Sequence, residues 1–302
     1  MTAGCLVMAY GTPSSLDEVE AYYTHIRRGR APEAHLLAEL VGRYEAIGGI
    51  SPLRAITEAQ VAAIGDALGD GWTTTGGYKH TTPFIEDGVD ALRDAGVDRI
   101  VGVVLAPHFS RGSVGEYAAR LEAAADDAGI TSDVVTSWHH LDAWLDLQAA
   151  AVTDALAGLP ARTKVLFTAH SLPERVLVED PYPEQLHASA TAIAARAGLD
   201  RWSGWAVAWQ SAGRTADPWR GPDVLEVIDD LADTGRAEGI LVCPQGFTAD
   251  HLEVLYDLDV QAAEQAAGRG LAFARTRSVN DDPAVMAALA ELVRSHGSPD
   301  AG

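Results

Sequence analysis

Two cysteines, Cys5 and Cys243, are all that this chain of 302 residues holds. An ordinary iron–sulfur cluster needs four thiolates, so none is expected. Both thiols sit in apolar, strand-like runs, where they read as small core residues rather than a disulfide. Lysine is as scarce: of 22 basic residues, Lys79 and Lys164 are the lysines, and 43 acidic residues bring the formal charge to −21. A surface of that sign repels polyanions, which excludes nucleic acid and a stably bound anionic membrane as partners. No apolar run approaches the roughly 20 residues of a membrane span, and no basic region precedes a hydrophobic segment at the start of the chain. The expected location is the cytoplasm.

What is present is an ordinary globular composition, 47% hydrophobic and 22% charged, long enough for a large core. Short apolar runs alternate with helical periodicity. Strands are expected at Cys5–Ala9, Trp72–Tyr78, Arg99–Ala106 and Ser132–Trp138, and again at Val165–Ala169, Gly204–Trp209, Ile240–Cys243 and Leu271–Arg275. Helices fill the intervals. Two are added after the first strand, at Asp17–Arg27 and Glu33–Ile47, and Ser51-Pro52 caps the next. Such alternation predicts an α/β protein of two Rossmann-like lobes, each a four-stranded parallel sheet flanked by helices, with a cleft between them. The lobes are placed at residues 1–150 and 151–302.

The stretch KVLFTAHSLP, Lys164–Pro173, puts His170 where a buried strand ends. Ligands of open α/β sheets bind outside the carboxyl ends of the strands. A similar phrase, LVMAYGTP at Leu6–Pro13, opens the chain, so Tyr10 and His170 are candidates for equivalent positions in two halves of a duplicated fold. A lone histidine or tyrosine there also serves simply as a core side chain bonded to the backbone. Further on, a helix is expected over His251–Ala267, with Glu253 and Asp257 four residues apart on one face. An acidic pair of that spacing is ordinarily a solvated face; beside His170 it offers a carboxylate to an imidazole, a borderline site for a divalent metal and a base for removing protons. Arg27, Arg28 and Arg30 form a basic cluster in an acidic chain. They suit carboxylate or phosphate recognition, or equally offset a helix dipole. No P-loop occurs, GGYKH at 76–80 lacks dinucleotide spacing, and QSAGRT at 210–215 reads as a polar loop.

Eight stretches, AYGTP (9–13), YYTHIRRGRAP (22–32), RYEAIGGISPL (43–53), LAPHFS (105–110), TAHSLPERV (168–176), DPYPEQL (180–186), WQSAGRT (209–215) and GFTADHLEVLYDLD (246–259), resemble the ferrochelatases, in order and over most of the chain. The likeness is greatest to the coproporphyrin-using branch of Gram-positive bacteria. It implies a lyase of haem and porphyrin biosynthesis that inserts Fe2+ into coproporphyrin III to form coprohaem. Carried over by motif, His170 and Glu253 lie on one side of the macrocycle, ligating iron or accepting pyrrole protons, and Tyr10 matches a tyrosine that ligates iron from the other side. Arg27, Arg43, Tyr44, Ser51 and Tyr117 match residues that hold the porphyrin and its propionates, and His80 and Trp219 fall in segments that line the cleft. Transient contact with other haem-pathway enzymes is a further expectation.

The sequence departs from the family where an acidic row would continue past Asp257, since the next position on that face is Gln261, and in CPQGFTAD, which keeps Gly246, Phe247 and Asp250 of the commoner phrase. An outer metal site is therefore in doubt. The competing readings are a protoporphyrin or sirohydrochlorin metal chelatase and a non-catalytic haem or porphyrin carrier, which would need propionate contacts but no Glu253 beside His170.

Overall fold

A computed structural model of the chain describes residues 2–201, 204–213 and 215–297. The amino-terminal strand β1, Ala3–Ala9, lies between β2 (Trp72–Tyr78) and β3 (Arg99–Val104), and β4 (Thr131–Val135) completes a parallel sheet of order 2-1-3-4. The second half repeats this. Strand β5 (Thr163–His170) lies between β6 (Trp205–Gln210) and β7 (Gly239–Cys243), with β8 (Ala272–Arg275) outside, in order 6-5-7-8. The central strands β1, β3 and β7 are largely apolar on both faces because helices cover both, while the edge strands β2 and β4 are more polar. Along β1, Cys5 and Val7 enter one cluster and Leu6 and Met8 another, and along β7, Leu241 and Cys243 alternate in the same way with Ile240 and Val242.

The helices are α1 (Val19–Ile26), α2 (Ala34–Ala46), α3 (Leu53–Leu68), α4 (Ile85–Asp94), α5 (Val114–Ala128), α6 (Asp142–Leu156), α7 (Tyr182–Arg196), α8 (Val224–Asp233), α9 (Ala263–Gly268) and α10 (Pro283–Gly297). In the first lobe α4 and α5 cover one face of the sheet, and α3 and α10 lie toward the other. In the second lobe α8 and α9 cover the outer face, while α6 packs on β7 and α7. Trp138, Trp144, Phe167 and Met286 share one buried cluster, so the two sheets are joined through a common core. A division at 150/151 falls inside α6, and α10 returns from the second half of the chain to pack on α3, β3 and β4.

Three local differences from the expected elements have physical causes. Pro52 is the N-cap residue and α3 starts at Leu53, whose backbone N–H donates to the Ser51 hydroxyl at 3.3 Å. Residues 16–18 form a single 3-10 turn before α1, so the expected helix starts at Val19. The expected helix over His251–Ala267 is π-helical from Val254 to Ala262 before it becomes α9. A wider π turn leaves residues four apart neighbouring, and the apolar spacing that predicts an α-helix does not distinguish the two; π segments recur at functional sites.

Candidate active site

Both lobes present a side chain at the same topological place. Tyr10 follows the last residue of β1 and His170 is the last residue of β5, each strand being flanked by the two neighbours between which the chain order reverses. The turn after Tyr10 depends on Gly11, with φ +87° and a Cβ position 2.4 Å from the Thr81 hydroxyl oxygen. The loop after β7 is held against β5 by Gly246, whose N–H donates to the Thr168 carbonyl at 3.0 Å. That contact brings the segment carrying Glu253 to the end of β5.

His170 Nε2 lies 3.6 Å from Glu253 Oε1. Its Nδ1–H donates to the Ser171 carbonyl, which sets the tautomer and turns Nε2 toward the carboxylate. Burial opposes a charge on the ring, but the Glu253 carboxylate outweighs it, and the pKa is pushed up to about 9. Glu253 is moved the opposite way: burial would raise it, and His170 and His251 hold it well below the usual carboxylate range. His251 is the second imidazole on that carboxylate, with Nε2 3.7 Å from Oε2 and Nδ1–H donating to the Ala249 carbonyl at 3.0 Å. The two rings thus face different oxygens of one carboxylate. Among the described residues, no group of three or more His, Cys, Asp or Glu forms a ready cation cage.

Tyr10 is half-exposed, its ring 4.5 Å from that of His80. Partial loss of water around the phenol, with Glu253, Glu116 and Tyr44 as negative or ionisable neighbours, pushes it above the ordinary range, so it stays protonated. Glu253 is likewise among the groups that raise Tyr44, which burial pushes up to about 12. His80 is lowered to about 3 by burial and by Lys79, and its Nδ1 is 3.0 Å from Nδ1 of His25.

The structure thus brings His170 and Glu253 to within 3.6 Å, with Tyr10 and Tyr44 in electrostatic range of Glu253 and His80 against the ring of Tyr10. Tyr44 is buried, with its hydroxyl 3.4 Å from that of Thr12. Tyr117 is buried in the core of the first lobe, under the ammonium of Lys79. Arg43 donates to Glu39 at 2.9 Å, lies 3.7 Å from Asp257, and stacks on the ring of Tyr256 at 5.1 Å. Arg27 lies over the Tyr23 ring and donates to the Arg30 carbonyl, and Arg28 is 3.7 Å from Glu116. Trp219 bridges to Pro173, three residues after His170, and its indole donates to Thr215 at 3.0 Å.

Sequence reasoning passed over His251, His25 and Ser211. His251 stands two residues before Glu253, a spacing that would put the two on different helix faces; its bond to the Ala249 carbonyl and the Phe247 ring 4.9 Å away hold it toward Glu253. The polar loop QSAGRT is more than a connector: Ser211, in the left-handed region at φ +61°, donates its hydroxyl to Asp257 at 2.5 Å. Arg214 of that loop lies outside the described residues.

The profile of the ferrochelatases matches residues 2–297. The chain belongs to the ferrochelatase family. It is 41% identical over 299 residues to a protein of Bacillus anthracis named coproporphyrin III ferrochelatase 2, covering 96% of this chain and 93% of that one. A coproporphyrin III ferrochelatase of Bacillus pumilus is 43% identical over 303 residues, covering 96% of each chain. Among solved structures, SirB of Bacillus subtilis with Fe3+ shares the ferrochelatase fold at a TM-score of 0.61 and 14% identity, covering 99% of this chain and 96% of that one. CbiX, described as the terminal enzyme of sirohaem biosynthesis in denitrifying bacteria, superposes at a TM-score of 0.57 and 15% identity, covering 98% and 99%.

Proposed function

We propose that this ferrochelatase is a lyase that inserts Fe2+ into coproporphyrin III, releasing two protons, in haem biosynthesis. The observation that carries the reading is the His170–Glu253 pair at the carboxyl ends of the second sheet, with the protonated phenol of Tyr10 at the matching point of the first. A flat macrocycle between the lobes would meet an imidazole and a carboxylate on one face and a phenol on the other.

The roles follow from charge. A porphyrin must lose two N–H protons as the metal enters, and a positioned base lowers that barrier. His170 carries a proton at neutral pH because Glu253 stabilises it. An approaching dication repels that proton, which passes to the facing Glu253 carboxylate and on to solvent at its exposed side, so arrival of iron is coupled to release of the Nε2 lone pair that accepts a pyrrole proton. Glu253 and His251 then share the charge that develops beside the ring, in a partly dry site where electrostatic effects are strong. Tyr10 offers a phenol oxygen to the metal from the far side. Arg27 and Arg43 would hold the propionates, with His80 and Trp219 lining the cleft; Tyr44, Ser51 and Tyr117, which the resemblance also implies as substrate contacts, are 3%, 4% and 4% exposed and would support the cleft wall from beneath. No resident cofactor is part of the proposal: Cys5 and Cys243 are buried in β1 and β7, and their thiols are pushed up to about 12 by burial.

No helix among the described residues is long and apolar enough to cross a membrane. We place the enzyme in the cytoplasm, meeting other haem-pathway enzymes transiently. The test is anaerobic: purified protein with Fe2+ should metallate coproporphyrin III faster than protoporphyrin IX, followed by absorbance. Equal rates would remove the substrate assignment, and binding without turnover would make the chain a carrier.

A further inference from the structure

We propose that Asp257 competes with the carboxylates of the substrate for Arg43, and so sets how strongly the cleft selects a carboxylated porphyrin. The inference rests on the reading of the cleft as a porphyrin site and adds to it a residue that opposes binding.

Arg43 is near the end of α2, in the excursion between β1 and α3, and Asp257 is in the π-helical segment of the other lobe. Their contact spans Nη1 to Oδ1 at 3.7 Å, an electrostatic attraction that is too long for a hydrogen bond. Oδ1 has no hydrogen-bond partner although it is buried, while Oδ2 is bound by the Ser211 hydroxyl. Asp257 is thus fixed by Ser211 from one side and left incompletely paired on the side that faces Arg43. The guanidinium is more accessible, its side chain 29% exposed against 9% for Asp257. It has five N–H donors, and the structure commits one of them to Glu39 by a hydrogen bond.

A carboxylate that reached Arg43 in the forked, two-bond geometry would form a stronger contact than the one Asp257 makes. The Tyr256 ring beneath the guanidinium supports its plane whichever carboxylate it faces. Each binding event therefore includes breaking one attraction to make another. A porphyrin without carboxylates gains nothing from the exchange. Asp257 acts in this way through Arg43, as a positioning residue, without touching the ring.

The experiment is a titration of metal-free coproporphyrin III into the full chain, read by tryptophan fluorescence quenching, for the wild type, Asp257→Asn, Arg43→Ala and the double variant. Asp257→Asn should tighten binding about three- to fivefold, the worth of one partly exposed ion pair. Arg43→Ala should weaken it, and in the double variant the gain from Asp257→Asn should vanish, because the two residues act through one contact. Coproporphyrin tetramethyl ester should bind the wild type and Asp257→Asn equally. Asp257→Ser, which also removes the charge, takes the place of Asp257→Asn if that variant does not fold. Unchanged or weaker binding of coproporphyrin by the charge-free variant would overturn the competition. Failure of the wild-type chain to bind coproporphyrin at all would instead overturn the reading of the cleft.

Discussion

His170 and Glu253 face each other across 3.6 Å, and the other ring nitrogen of His170 is committed to the backbone carbonyl of Ser171. A carbonyl can only accept, so Nδ1 keeps its proton in every state and Nε2 alone gains or loses one. The strand end, the backbone anchor and the carboxylate together define where a proton is taken up.

Replacing His170 by alanine should remove that acceptor while sparing the cleft walls. Iron insertion should fall by about 100-fold or more, the usual worth of a positioned acid–base group. Coproporphyrin binding, read separately by fluorescence quenching without metal, should change by less than about threefold. A variant that still turns over normally would show that His170 takes no part in the chemistry.

The coupling of the pair gives stability a definite pH dependence. The pKa of His170 rises from an ordinary 6.5 to about 9 in the folded chain, so its contribution is fully present below pH 6.5 and is lost as pH climbs through about 9. Glu253 is depressed, so its own contribution is present at and above the ordinary carboxylate range and is lost only in acid. Between pH 6.5 and 9 the wild type should therefore lose stability relative to His170→Gln. With the imidazole about one-third exposed, the loss should be on the order of 1 kcal/mol, measured by urea denaturation. In Glu253→Gln, the His170 ring resonance should titrate below 9 and toward 6.5 by NMR.

Gly246 is a position where a methyl group has no room. A Cβ there would lie 2.5 Å from the Ala169 Cβ and 2.8 Å from its Cα, beside His170 itself. Gly246→Ala should cost about 1–3 kcal/mol in denaturation, as overpacking of a tight contact does. Because the displaced loop carries His251 and Glu253, iron insertion should fall further than the loss of folded protein explains. Wild-type activity in the folded fraction would show that the approach of loop and strand does not set the site.

Much of this was readable in the chain. The pattern of short runs located the eight strands found among the described residues; central strands such as β1 and β7 are apolar because helices cover both faces, whereas the edge strands β2 and β4 carry Thr, Ser and Asp and are only partly buried. The echo of LVMAYGTP in KVLFTAHSLP placed Tyr10 and His170 at equivalent strand ends, and the order of the sheets bears this out. The π-helical form of residues 254–262 was not readable, since its apolar spacing also fits an ordinary helix.

What the sequence determined by itself is which residues can be buried, hence the strands, the helices and the two parallel sheets, because burial depends on local periodicity. Only the tertiary structure decided how charges meet. His251 turns onto Glu253 through a backbone carbonyl, Ser211 binds Asp257 across 46 positions of chain, and Arg43 reaches the second lobe from α2. Electrostatic contacts act through space over a few ångströms, and the distance between residues along a chain carries no record of which side chains the fold will bring within that range.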